Sequence, residues 1–146
     1  MKKLATLAVT ALFSLSLLAS DPVAVNEKVL LAFQQSFKNA SSVEWHESGN
    51  RFEVKFLYNE INSRITYNKD GSVFSVLRNY GEEQLPLLLR AKLQKEFAGT
   101  HVFGVTEYST EGTLDYYVVL EDATTWSHVK CNSNGDMQVY KKYTKA

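Results

Sequence analysis

Arg51-Phe52-Glu53-Val54-Lys55-Phe56-Leu57-Tyr58 decides the fold, because apolar and charged side chains alternate along it with a period of two. Phe52, Val54, Phe56 and Tyr58 point one way and Arg51, Glu53 and Lys55 the other, as in an antiparallel strand with one face buried. Ile61, Ser63, Ile65 and Tyr67 continue as a second strand, which stops at Asn68-Lys69-Asp70-Gly71. Asp-Gly marks a hairpin turn because both residues tolerate positive φ. Val73 to Tyr80 then returns as a further strand, and a short run at Val43-Glu44-Trp45 comes before the quoted stretch.

Upstream lies an amphipathic helix, roughly Asn26 to Asn39, with Asn26 as its N-cap and Leu30, Phe33 and Phe37 on one face. Downstream the same order begins again. Leu85-Pro86 opens a second helix with the stripe Leu89, Leu93 and Phe97, and Gly99 stands where it would stop. Strands are expected at Val102 to Tyr108, Leu114 to Leu120, Thr124 to Cys131 and Met137 to Tyr143, with an Asn134-Gly135 turn before the last.

The two halves superpose by counting. A shift of 64 residues takes Phe52 to Tyr116, Val54 to Val118, Tyr67 to Cys131 and Asp70-Gly71 to Asn134-Gly135. A shift of 60 takes Phe37 to Phe97, so the second half carries about four extra residues around Gly104 and Gly112. This pattern predicts an internal duplication. The fold class expected is α+β: two tandem α-β-β-β-β repeats (about 26–81 and 85–145) forming one long antiparallel sheet with both helices on one face.

Residues 1–20 read as a secretory signal. Lys2 and Lys3 precede an apolar run, Leu4 to Leu18, and small residues Ala19 and Ser20 end it before Asp21-Pro22. Removing them takes away two lysines and leaves 14 basic against 16 acidic residues, a net charge of −2. The expectation is a cleaved signal at 1–20, a single domain at 21–146 with no membrane span, and a periplasmic or secreted location. A slightly acidic chain argues against a nucleic-acid partner, which calls for clustered positive charge. Cys131 is the only cysteine, so no internal disulfide can form, and it reads as a small apolar strand residue at the place where the first half has Tyr67.

Phe37-Lys38-Asn39-Ala40, Val43-Glu44-Trp45, the Phe52/Val54/Phe56 strand, the Tyr67 to Gly71 turn and Leu85-Pro86 with Leu89, Leu93 and Phe97 together carry a resemblance. They resemble the PepSY-like proteins, small exported bacterial proteins built like the beta-lactamase inhibitory protein. The resemblance spans nearly all of the mature chain and implies a binding or inhibitory module of the cell envelope, with no catalytic residues to carry over. Two departures mark the second half: Asn134-Gly135 replaces Asp-Gly, and no Trp matches Trp45.

The search for chemistry gives little. His46, His101 and His128 lack neighbours at metal-ligand spacing. Asn68-x-Asp70-Gly71 and Asn132-x-Asn134-Gly135-Asp136 lack the spaced carboxylates of a calcium loop and read as turns. No nucleophile elbow or phosphate loop occurs. The chain is therefore expected not to be an enzyme and to use no cofactor or metal. The candidate site is the non-core strand face, with Glu53, Lys55, Arg64, Tyr117 and Val119, joined by Thr66 and Lys130. That face would grip an unidentified envelope or extracellular protein or peptide. An alternative is a small-molecule carrier or lyase-like enzyme on a cystatin-like α+β fold, with a polar pocket between helix and sheet. Another is an assembly subunit pairing through its edge strands.

Overall fold

The computed structural model describes residues 23–146, and the expected signal at 1–20 lies outside the described residues. The order is α1 (Glu27–Ser36), β1 (Ser41–Ser48), β2 (Arg51–Tyr58), β3 (Ile61–Asn68), β4 (Val73–Tyr80), a 3-10 turn (Glu82–Gln84), α2 (Leu87–Glu96), β5 (His101–Thr110), β6 (Thr113–Glu121), β7 (Thr125–Asn132) and β8 (Met137–Thr144). All eight strands form one sheet in sequence order, every neighbouring pair antiparallel. Among the described residues the architecture is α+β, with one eight-stranded antiparallel sheet and two α-helices.

The alternation in Arg51–Tyr58 becomes β2, with Phe52, Val54 and Phe56 buried between half-buried neighbours. The β2–β3 connection is a two-residue loop in which Asn59 (φ 48) and Glu60 (φ 64) both take the left-handed conformation of a type I′ turn. Gly71 (φ 90) and Gly135 (φ 84) supply the same freedom after β3 and β7.

Several boundaries differ from expectation. α1 is ten residues long, ending at Ser36, because Phe37 (φ −133, ψ 60) leaves helical geometry while its N–H still donates to the Phe33 carbonyl. Asn26 caps it as expected, its Oδ1 accepting from the Val29 N–H at 3.0 Å. The deepest residues of α1 are Val29 and Phe33, so the buried stripe centres one residue before Leu30. Pro86 occupies the N-cap of α2 and not its first turn (φ −52, ψ 134). β1 is longer than Val43–Trp45: it is an edge strand exposed everywhere except Trp45, so no alternation announces it. β5 runs two residues past Tyr108, to Thr110.

The core consists of two clusters. Val29 and Phe33 meet Phe52, Val54, Phe56, Ile65 and Tyr67, with Trp45 and Phe37 at the margin. Leu85, Leu89 and Leu93 meet Val105, Tyr116, Val118, Leu120, Val129 and Cys131. β4 and β5 join them through six paired residues, from Ser75↔Thr110 to Tyr80↔Val105. At that seam Arg78 pairs with Glu107 at 3.1 Å, and the Tyr80 hydroxyl donates to the same carboxylate at 2.5 Å. Burial, then the bond to Glu107, pushes the Tyr80 phenol well above its ordinary value, so it stays a donor.

Candidate interaction surface on the open sheet face

Residues directly opposite one another in antiparallel strands share a face. Since Phe52, Val54 and Phe56 face the core, Glu53 and Lys55 face away, and so do their partners Thr66 and Arg64. The same logic puts Tyr117 and Val119, flanking buried Val118, on the open face with their partners Lys130 and His128. The five predicted site residues thus lie on one face but in two groups. Glu53 and Lys55 on β2 and Tyr117 and Val119 on β6 are four strand spacings apart, or about 19 Å at ~4.8 Å each.

The first group is polar. Arg64 Nε lies 3.5 Å from Glu53 Oε1, and Glu44 stands opposite Lys55. Lys55 and Arg64 line a shallow depression of about 280 Å³ together with Glu44, Asn62, Leu77 and Asn79. Exposed ion pairs of this kind contribute at most about 1 kcal/mol.

The second group is aromatic. Phe103 meets Trp126 edge to face at 4.8 Å. Tyr140 contacts Tyr117 at 6.0 Å and His128 at 5.8 Å, and His128 contacts Tyr143 at 5.4 Å. Phe103 is 65% exposed, Tyr140 49% and Tyr143 42%. Three lysines sit over these rings: Lys130 over Tyr117 (5.6 Å), Lys141 over Tyr143 (4.8 Å) and Lys145 over Trp126 (4.7 Å). Lys130 also pairs with Asp115 at 2.9 Å, and that bond holds its ammonium above the ordinary lysine value. Lys145, and then His101 at 2.9 Å, hold the Glu121 carboxyl below its usual range. The result is a row of rings fixed by edge-to-face and cation–π contacts, with rims left in water.

Sequence reasoning missed Phe103, Trp126, His128, Tyr140 and Tyr143. Trp126 and His128 could have been found, because they alternate with Val129 and Cys131, which are buried. Phe103 and Tyr143 could not: Phe103 is the extra residue at the register shift between Val102 and Gly104, and the shift opposite His128/Val129 reverses beyond Tyr140 the parity set by Met137 and Val139. A bulge re-aims a side chain that parity would assign to the other face.

The residues weighed for chemistry are engaged structurally. Asp70 Oδ1 accepts the Ser72 N–H and hydroxyl at 2.9 and 2.6 Å. Asn132 Oδ1 accepts the N–H groups of Asn134 and Asp136, both at 3.0 Å. Cys131 is fully buried, and burial pushes its thiol up to about 11. Among the described residues, no three His, Cys, Asp or Glu side chains converge on a common point. The space directly beneath each helix is lined by the apolar residues of the two core clusters.

No family model matches the chain, and no curated protein matches it in sequence. Solved structures do match. A BLIP-like protein from Bacteroides fragilis superposes with a TM-score of 0.64 at 12% identity, over 86% of this chain and 92% of that one. The fold is BLIP-like. A candidate periplasmic protein from Bacteroides eggerthii and a DUF2874 family protein from Bacteroides uniformis also superpose on this chain. Each has a TM-score of 0.60 at 14% identity, over 82% of this chain and 88% of the other. Identities this low speak to the fold alone. No helix among the described residues is long and apolar enough to cross a membrane.

Proposed function

We propose that this chain is an exported, non-catalytic binding module that holds a protein or peptide partner on the open face of its sheet. The observation that carries the reading is the aromatic group on β5–β8, where Phe103, Tyr140 and Tyr143 stand exposed on the chain's surface. Rings held rigid by their neighbours lose little entropy on binding and are the side chains most enriched at interface hot spots. The BLIP-like likeness supports a binding role over a chemical one. Export rests on the Lys2-Lys3 and Leu4–Leu18 pattern and on the likeness to a candidate periplasmic protein.

The reading includes a single domain at 21–146 built of two repeats, about 26–81 and 85–145, of the PepSY-like kind, with both helices on one sheet face. Three features support it: the helix-then-four-strands order occurs twice, the matching turn glycines Gly71 and Gly135 both have positive φ, and the register carries core parity across the seam through Ile65↔Val76 and Tyr80↔Val105. Within the face, Tyr117 and Val119 belong to the anchoring group, while Glu53, Lys55 and Arg64 form a polar flank that sets orientation.

The test is affinity capture from the native envelope after cross-linking. Bait protein is compared with Phe103→Ala/Tyr140→Ala and with Lys55→Glu/Arg64→Glu. The aromatic variant should lose the captured partner while its melting temperature moves by only a few degrees; the charge variant should weaken capture. Undiminished capture by the aromatic variant sinks the proposed face.

A further inference from the structure

α1 ends at Ser36, and Phe37, the next residue, lines a cup with Tyr58, Asn59 and Ile61 around the β2–β3 loop. Phe37, Phe56, Tyr58, Ile61, Ile65 and Val76 wall a cavity of about 290 Å³, with Asn59 and Ser63 as polar neighbours. Arg78 is the one charged residue of this lining. The cup is at the small end of ligand pockets, which run from about 300 to 1,000 Å³. Its walls are apolar with one cation, the arrangement that suits a compact apolar body carrying a single negative head.

The state of Arg78 sharpens this. Its Nη1 bonds to both oxygens of Glu107, at 3.1 and 3.4 Å, and Tyr80 donates to the same carboxylate at 2.5 Å. Glu107 is thereby occupied by two donors and anchors the arginine. A guanidinium carries five N–H donors. Those on Nε and Nη2 have no hydrogen-bond partner among the described residues, and the side chain is 37% exposed, so they face water. An arginine held through one nitrogen, with the Nε–Nη2 edge free, is preorganised for a second carboxylate.

We propose that this cup binds small amphipathic monocarboxylates, with the apolar chain or ring against Phe37, Ile61 and Val76 and the carboxylate on the free edge of Arg78. The site lies on the helix side of the sheet, apart from the open-face surface proposed above. It goes beyond that reading and does not depend on it.

The experiment is calorimetric titration of the purified protein with octanoate, and with octylamine as the charge-reversed probe of equal chain length. Octanoate should saturate and octylamine should bind about tenfold more weakly or worse, as expected of one charge-assisted hydrogen bond. Arg78→Gln/Glu107→Gln removes both charges, so that neither is left buried alone, and should weaken octanoate about tenfold. Ile61→Trp leaves the ion pair intact but fills the cup, and should abolish the octanoate heat. Equal binding of the two probes, or unchanged octanoate binding in Ile61→Trp, overturns the proposal. So does the absence of any octanoate heat.

Discussion

Leu89→Ala tests whether the two halves stand or fall together. Leu89 is 2% exposed in the second cluster. Truncation removes about three methylene equivalents from a buried site, at ~0.8 kcal/mol each. A cavity term adds to that, so the loss is about 3 kcal/mol, inside the ~2–5 kcal/mol span of such changes. For a domain of this size, with a urea slope of about 1.5–2 kcal/mol/M, the midpoint should fall by about 1.5–2 M. The chain has a natural pair of reporters. Trp45 touches Phe33 and Tyr67 in the first half, and Trp126 touches Phe103 in the second. Trp126→Phe leaves the first as sole fluorophore, and Trp45→Phe leaves the second. With Leu89→Ala in each background, both tryptophans should report the same lowered midpoint. The reason is the seam: losing β5 would bare the inner edge of β4 and strand the Arg78–Glu107–Tyr80 group. A half of about 60 residues with one helix is also marginal alone. If Trp45 kept its original midpoint while Trp126 moved, the halves would be independent and the cooperative reading refuted.

Glu60→Gly should raise stability by roughly 0.5–1 kcal/mol, seen as a higher melting temperature, because a non-glycine residue at φ 64 is strained. Gly135→Ala should lower stability by about 1–2 kcal/mol in denaturant melts, since φ is +84 and the new Cβ would meet Lys92 Nζ at 2.6 Å. Cys131 should resist alkylation at about pH 8 while the protein is folded and react on unfolding, because burial pushes its thiol up to about 11. Asp122 accepts the Thr125 hydroxyl and the N–H groups of Thr124 and Thr125, which hold its carboxyl far below the usual range. Its folded value is depressed, so its stabilisation is present above an unfolded value of about 3.9 and fades as pH falls toward the folded one. Melting temperatures from pH 5 downward should therefore drop less steeply in Asp122→Asn.

Much of this fold is legible in the chain because β2, β3 and β6 each bury one face and leave the other open or half-buried, so that parity is written in residue type. β1 lacks that contrast: with only Trp45 partly buried, its eight residues resemble a loop. The first helix ends three residues short of the expected Asn39, and the second starts after Pro86, because Phe37 and Phe97 pack as core while standing just past the last helical turn and Pro86 caps α2. The open face was legible by parity through Glu53, Lys55, Tyr117 and Val119. Its aromatic content was not, because Phe103 and Tyr143 face outward only through bulges that the pairing register reveals.

That aromatic content has a physical origin in how the two halves fill their cores. The first cluster is ringed by Phe33, Phe37, Trp45, Phe52, Phe56 and Tyr67, stacked at 4.8–6.4 Å where they meet. The second is mainly aliphatic, with Leu85, Leu89, Leu93, Val105, Val118, Leu120 and Val129, and Tyr116 as its one buried ring. At the 64-residue correspondence, buried Tyr67 becomes Cys131, a much smaller side chain. The second half places its large rings instead on the other side of the sheet, as Phe103, Tyr117, Trp126, Tyr140 and Tyr143. Rings in the first half are worth stability through burial and edge-to-face contact. Those in the second half leave much of their area in water, where they do little for the fold and remain available to a partner. Truncating a ring should therefore separate the two roles. Phe56→Ala should cost about 3–5 kcal/mol of stability, whereas Tyr140→Ala should cost little stability and act on binding.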